Sequence, residues 1–131
     1  MPPERLPPDD PREWLRLARG DLVIASANLP DAPPELLCFH AQQAAEKAIK
    51  AVLIEMRVAF PFTHDLGRLL ELVQSDAPAD LADAALELTD YASRTRYPFV
   101  GEPVTEVDRQ AAARAAASVV AWAESKMRGT D

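Results

Sequence analysis

Apolar residues return every three or four positions along most of this chain and nowhere alternate over a useful length, so the pattern predicts helices and no strand. The longest uninterrupted run is Leu36 to Val58, which holds no Gly or Pro. Its interior is mostly Ala, Leu, Glu, Gln, Lys and Met, residues that lose little on entering a helix. Leu37, Ala41, Ala44, Ala45, Ala48, Val52 and Met56 make a continuous apolar stripe. On another face His40, Gln43, Lys47 and Lys50 form a single polar line, and Glu46 stands four residues before Lys50 as a favourable pair. At about 1.5 Å per residue the run is roughly 34 Å long, the full length of a small domain. Other helices must pack on the stripe, and the polar line is the first place to look for a ligand or partner.

Four more helices flank this one. Residues 1–9, with four prolines and alternating charges, bury nothing and read as a flexible tail, so the folded domain spans 10–128. Asp10-Pro11-Arg12-Glu13 opens the first helix, with Asp as N-cap, Pro at the first helical position and Glu at the third. Trp14, Leu17, Ala18, Leu22, Ala25 and Leu29 carry its apolar side. Gly20 lies inside it at a cost of about 1 kcal/mol relative to Ala, which a close helix crossing would explain. After the long helix, Ala59-Phe60-Pro61-Phe62 forms a loop whose phenylalanines are expected to fold back on the core. Thr63 caps a short third helix with Asp65 in its first turn, burying Leu66, Leu69, Leu70 and Val73. A turn at Ser75-Asp76-Ala77-Pro78 leads to a fourth helix, through Leu81, Ala84, Ala85, Leu88, Tyr91 and Ala92 to about Thr95. Tyr97–Pro103 is a loop. Thr105 and Asp108 resemble a capping box opening a fifth helix through Val107, Ala111, Ala115, Val119, Trp122 and Met127. Short connections imply antiparallel neighbours, hence an all-α, up-and-down bundle of about five helices. The small residues of 111–117 allow close packing inside the bundle or across a dimer.

Composition narrows the function classes. A chain of 131 residues makes one domain with one core, and with only 6% aromatics that core is built from Leu, Ala and Val. A net charge of −7 argues against broad, sequence-independent nucleic-acid binding, which needs a basic face, but leaves room for a few arginines gathered at one point. Cys38 is the only cysteine, so neither an internal disulfide nor a thiolate-rich zinc site can form. The polar N-terminus is no signal peptide and no stretch has the length of a membrane span, which points to a cytoplasmic protein with no membrane partner.

Three segments taken together, CFHAQQAAEKAIKAVL (38–53), THDLGRLLELV (63–73) and YASRTRYP (91–98), resemble the HEPN domain in their order and spacing, over roughly residues 12–125. The resemblance implies an all-α bundle, often dimeric, of a kind frequently encoded beside a minimal nucleotidyltransferase in toxin–antitoxin pairs. It also implies a nucleotide-binding role, and several branches of the family are metal-independent ribonucleases. Those branches carry an Arg followed four to six residues later by a His near the fourth helix. Here Ser93-Arg94-Thr95-Arg96-Tyr97-Pro98 continues to Glu102 with no histidine, so the ribonuclease motif is absent at its expected place. Arg57 and His64 have a comparable spacing, but they span the loop after the long helix, and the match reads as coincidence.

The residues that could carry chemistry are few. His40 and His64 are the only groups that titrate near neutrality without a shifted pKa. His64, in the first turn of the third helix, either fixes the corner between the second and third helices, through a loop carbonyl or a carboxylate, or contacts a ligand or partner. It is the one candidate for a catalytic acid or base. His40 reads as a structural or surface residue. Arg94 and Arg96 offset the dipole at the end of the fourth helix and suit an ion pair with Glu46 or Asp90. Equally, with Tyr97 they suit a phosphate-gripping corner, because guanidinium forks match phosphate oxygens and a tyrosine can stack on a base. Lys50 reads as a solvated residue, whereas Lys47 fits either a solvated face or the same groove. Gln43, beside an apolar stripe, is half-buried and bonded to a ligand or to backbone. No metal or cofactor motif is present. Gln43, Lys47, His64, Arg94, Arg96 and Tyr97 therefore make the candidate nucleotide or RNA site. The competing expectation is a dimeric module that binds a partner protein such as a nucleotidyltransferase, with residual ribonuclease action through His64 as the third.

Overall fold

The computed structural model describes residues 9–73, 78–89, 91 and 103–128. They form five helices: α1 (Pro11–Ser26), α2 (Pro34–Glu55), α3 (Leu66–Val73), α4 (Ala79–Thr89) and α5 (Glu106–Met127). No strand occurs among the described residues. The predicted starts of α1 and α5 form as expected. The Asp10 carboxylate accepts the Arg12 N–H at 2.9 Å. At α5, the Thr105 hydroxyl accepts from Asp108 N–H while the Asp108 carboxylate accepts from Thr105 N–H, so two donors with no partner inside the helix are satisfied.

The bundle is organised around α2, which packs on all four other helices and has 13 of its 22 residues buried. Alanine explains how. Ala41, Ala44, Ala45, Ala48 and Ala51 are fully buried, and with no side chain beyond Cβ they let α1 and α5 lie close on either side. Leu53, Leu66, Leu69, Leu88, Val73 and Val119 fill the remaining space. The direction of α1 against its neighbours follows from its contacts. Asp21 meets His40 while Trp14 meets Lys50, so α1 and α2 run antiparallel. Arg19 meets Glu124 while the Ala25 carbonyl accepts from Arg109, so α1 and α5 also run antiparallel.

Several expectations fail at the surface. Leu17 and Leu29, assigned to the inner side of the first helix, are exposed, as is Val107 of α5. Gly20 has nothing within 4 Å of an added Cβ, so among the described residues no helix crosses closely there. Phe60 packs on the core, but Phe62 is fully exposed. The cap of α3 is Asp65 rather than Thr63: its carboxylate accepts from Arg68 N–H and its carbonyl from Leu69 N–H, while the Thr63 hydroxyl accepts from Asp65 N–H. His64 therefore precedes the helix. The predicted N-terminal tail, the turn at 75–77, the end of the fourth helix beyond Tyr91 and the loop at 97–102 lie outside the described residues.

The end of α2 explains why that helix stops before Val58. Val58 N–H donates back to Leu53 and Arg57 N–H to Ile54, the paired bonds of a Schellman stop, which place the residue after the cap in the left-handed region. That residue is Arg57, at φ 60°, where glycine is the usual occupant. Arg57→Gly is expected to stabilise the fold by about 0.5–1 kcal/mol, read as a higher urea midpoint at an unchanged slope.

Candidate functional site

The polar arc of α2 does not form one line toward solvent; its side chains divide between two clusters that join α2 to its neighbours. The first faces α1. The Asp21 carboxylate, itself half-buried, accepts from Lys47 Nζ at 2.6 Å on one oxygen and meets His40 Nδ1 at 3.0 Å on the other. The ring of Phe39 stands edge-on to His40 at 5.7 Å.

The second cluster faces α3 and lies deeper. Gln42, Glu46 and Lys50 repeat every four residues, so one flank of α2 presents them together. Glu46 accepts from Gln42 Nε2 at 3.0 Å and pairs with His64 Nδ1 at 2.8 Å on one oxygen, and accepts from Lys50 Nζ at 2.9 Å on the other. Gln42, fully buried, also donates to the His64 carbonyl at 3.2 Å and accepts from Gln43 Nε2 at 2.7 Å. The Lys50 ammonium sits 5.8 Å from the centre of the Trp14 ring and 5.6 Å from that of Phe60, within range of attraction to both. Burial alone would raise the Glu46 carboxyl, but the hydrogen bonds from Gln42, His64 and Lys50, with the lysine's charge, outweigh it and hold the group below its ordinary value. Glu46 is thus an anion at neutral pH. The His64 side chain is 58% exposed, so its ring is oriented from behind by a buried carboxylate and open to solvent in front.

Of the predicted site residues, Gln43 and His64 belong to the Glu46 cluster and Lys47 belongs to the Asp21 cluster. Their bonds thus lead to two different carboxylates, Glu46 and Asp21. Arg94, Arg96 and Tyr97 lie outside the described residues. Lys50, expected to be solvated, is buried because Glu46, Trp14 and Phe60 enclose it. The i,i+4 pairing of Glu46 with Lys50 forms as expected.

Sequence reasoning passed over Gln42, Asp21 and Arg109. For Gln42 a signal existed, since Gln42, Glu46 and Lys50 are spaced by one helical turn and a bit. Asp21 is a lone acid between apolar residues. Arg109 caps the end of α1 through the Ala25 carbonyl at 2.8 Å and is held by Glu106, which no local pattern announces. Among the described residues no group of three or more metal-ligating side chains occurs, and no helix is long and apolar enough to cross a membrane.

Residues 11–126 match the HEPN domain family. The fold is similar to the crystal structure of a protein from Thermus thermophilus, 33% identical, with a TM-score of 0.79 over 90% of this chain and 98% of that one. It is also similar to an archaeal HEPN homologue, 27% identical, with a TM-score of 0.74 over 95% and 98% of the two chains. A HEPN domain protein from Thermotoga maritima aligns at 25% identity and a TM-score of 0.58, over 92% of this chain and 95% of that one. No curated protein matches the chain.

Proposed function

The chain belongs to the HEPN domain family, and from that premise we propose that it is a non-enzymatic interaction module. It works as a homodimer and binds a partner protein, a nucleotidyltransferase encoded beside it, in a toxin–antitoxin type of pair. The observation that carries this reading is the internal neutralisation of α2. Lys47 and Lys50, the cations α2 offers for gripping a phosphate, are each held by an acidic side chain of the same fold, Asp21 and Glu46. An anion arriving there would have to displace a carboxylate already bonded at close range, in a chain that is acidic as a whole. Uncovered apolar side chains remain instead on α1 and at Phe62, and such surface suits a protein partner better than a polyanion.

The test is co-expression of the tagged chain with the adjacent nucleotidyltransferase, read by gel and by the 260/280 nm absorbance ratio of the eluate. A stoichiometric second band without excess 260 nm absorbance is the expected result. Excess 260 nm absorbance without the band would overturn the reading.

A second reading, binding of a nucleotide or RNA end, is favoured by His64, whose open imidazole is oriented by Glu46. It requires Arg94, Arg96 or Tyr97 to complete the site, and it predicts that Arg96→Ala weakens binding of a mononucleotide by roughly 1.5–3 kcal/mol. Metal-independent RNA cleavage abolished by His64→Ala would add a catalytic role.

A further inference from the structure

The antiparallel packing of α1 on α2 and α5 brings the end of α1 beside the starts of the other two helices. Arg109 of α5 bonds the Ala25 carbonyl of α1 across that junction. There the connection 27–33 leaves a cavity of about 390 Å³, a volume within the ~300–1,000 Å³ of pockets that take up a ligand. Leu29, Pro30, Pro34 and Leu37 give it apolar walls, and Glu106 and Arg109 complete the lining. The walls are preformed, because the prolines fix their φ angles and the Ala32 N–H closes a turn on the Leu29 carbonyl at 3.0 Å. The apolar surface also continues outward: Leu29 is 45% exposed, and Leu36, outside the cavity, is 46% exposed. The charge here is one-sided. From Gly20 to Glu46 the chain has no lysine or arginine, while Asp31 and Glu35 stand beside lining residues. Arg109 is 11% exposed and already holds Glu106 and the Ala25 carbonyl, whereas the Glu106 side chain is 58% exposed.

We infer that this end of the bundle is where the partner protein docks, through a basic segment that seats an apolar side chain in the cavity. The inference rests on the partner-binding reading proposed above and locates its surface. Charge complementarity selects the occupant. Carboxylates at the rim repel a nucleic-acid strand, and they repel the same acidic end of a second copy. They attract lysine and arginine side chains. The apolar walls require that the incoming chain also carry an aliphatic or aromatic anchor, since a purely polar cation would leave them uncovered. Leu36 adds contact area beyond the cavity, more than a small molecule filling the cavity would cover. Because the walls are preformed, docking spends little on ordering this side of the contact.

The experiment is titration calorimetry of the full chain against the purified adjacent nucleotidyltransferase, at low and at high salt. The natural protein is compared with Leu29→Arg, with Asp31→Lys combined with Glu35→Lys, and with Asp83→Lys on the distant exposed face of α4. Leu29→Arg and the double charge reversal should each raise the dissociation constant by about tenfold or more. The double reversal should also flatten the loss of affinity with salt, because it removes the local attraction that salt screens. Asp83→Lys should leave the dissociation constant within about twofold, since its charge lies outside the rim. Leu29 and Asp31 are exposed, so thermal melts of Leu29→Arg and of Asp31→Lys alone should match the natural protein, which separates loss of contact from loss of fold. Binding that Leu29→Arg and the double reversal leave unaltered would overturn the docking surface and leave the partner-binding reading standing. Asp83→Lys weakening binding as much as the double reversal would mean that the partner reads overall charge, and would also overturn the surface. No binding by the natural protein would overturn both.

Discussion

Glu46→Ala is expected to destabilise the fold by about 3–5 kcal/mol, the scale for removing one member of a buried ion pair. The carboxylate joins three side chains, Gln42, Lys50 and His64. Without it the Lys50 side chain, 9% exposed, keeps the two aromatic rings among the described residues, and Gln42 loses one of its two acceptors. His64 loses one of the two bonds that tie the loop before α3 to α2, the other being from Gln42 to its carbonyl. Equilibrium urea unfolding measures the loss. A second variant distinguishes charge from packing: Glu46→Leu combined with Lys50→Met removes both charges and should recover much of the stability, because well-packed apolar residues can replace a buried pair. A double variant as unstable as the single one would show that the hydrogen bonds to Gln42 and His64 matter more than the ion pair.

The same group gives the fold an acid limit. The folded-state carboxyl of Glu46 titrates below its ordinary value of 4.5. A depressed carboxyl contributes stability that is fully present above the unfolded pKa and disappears as pH falls through the folded one. The natural protein should therefore lose stability as pH drops from about 4.5 downward, and Glu46→Gln should flatten that part of the profile.

Leu53→Ala should cost about 2–5 kcal/mol, the range for emptying a fully buried leucine site. Leu53 is completely enclosed at the end of α2, and its carbonyl also receives the Val58 N–H that closes the helix. Leu86→Ala, on the exposed face of α4, is the control, and its effect should stay within about 0.5 kcal/mol. Similar losses at both positions would mean that α4 is covered by something the single chain does not contain.

The helices themselves were legible in the sequence, because periodicity and capping are local. Asp10-Pro11 and the Thr105/Asp108 box act within one turn, and their bonds form as the spacing predicts. The alanine stripe of α2 announced a central helix for the same reason: six of its seven apolar positions are covered, and Met56, at the helix end, stays exposed. The HEPN resemblance, carried by the long helix and the Thr-His-Asp-Leu segment, holds over the matched residues. What periodicity could not decide was the partner of each polar side chain. His40, Gln43, Lys47 and Lys50 share a flank of one helix, yet Lys47 turns to Asp21 on α1 while Lys50 turns to Glu46 between Trp14 and Phe60. Contacts between separate segments of the chain set those choices. Leu17 and Val107 show the same limit, since a wheel of apolar positions does not reveal which part of the stripe the neighbouring helices cover. Local sequence determined where the chain becomes helical, because each turn satisfies its own backbone. Only tertiary packing decided which charges were buried and paired, because the energy of a buried charge depends on the groups that other segments bring to it.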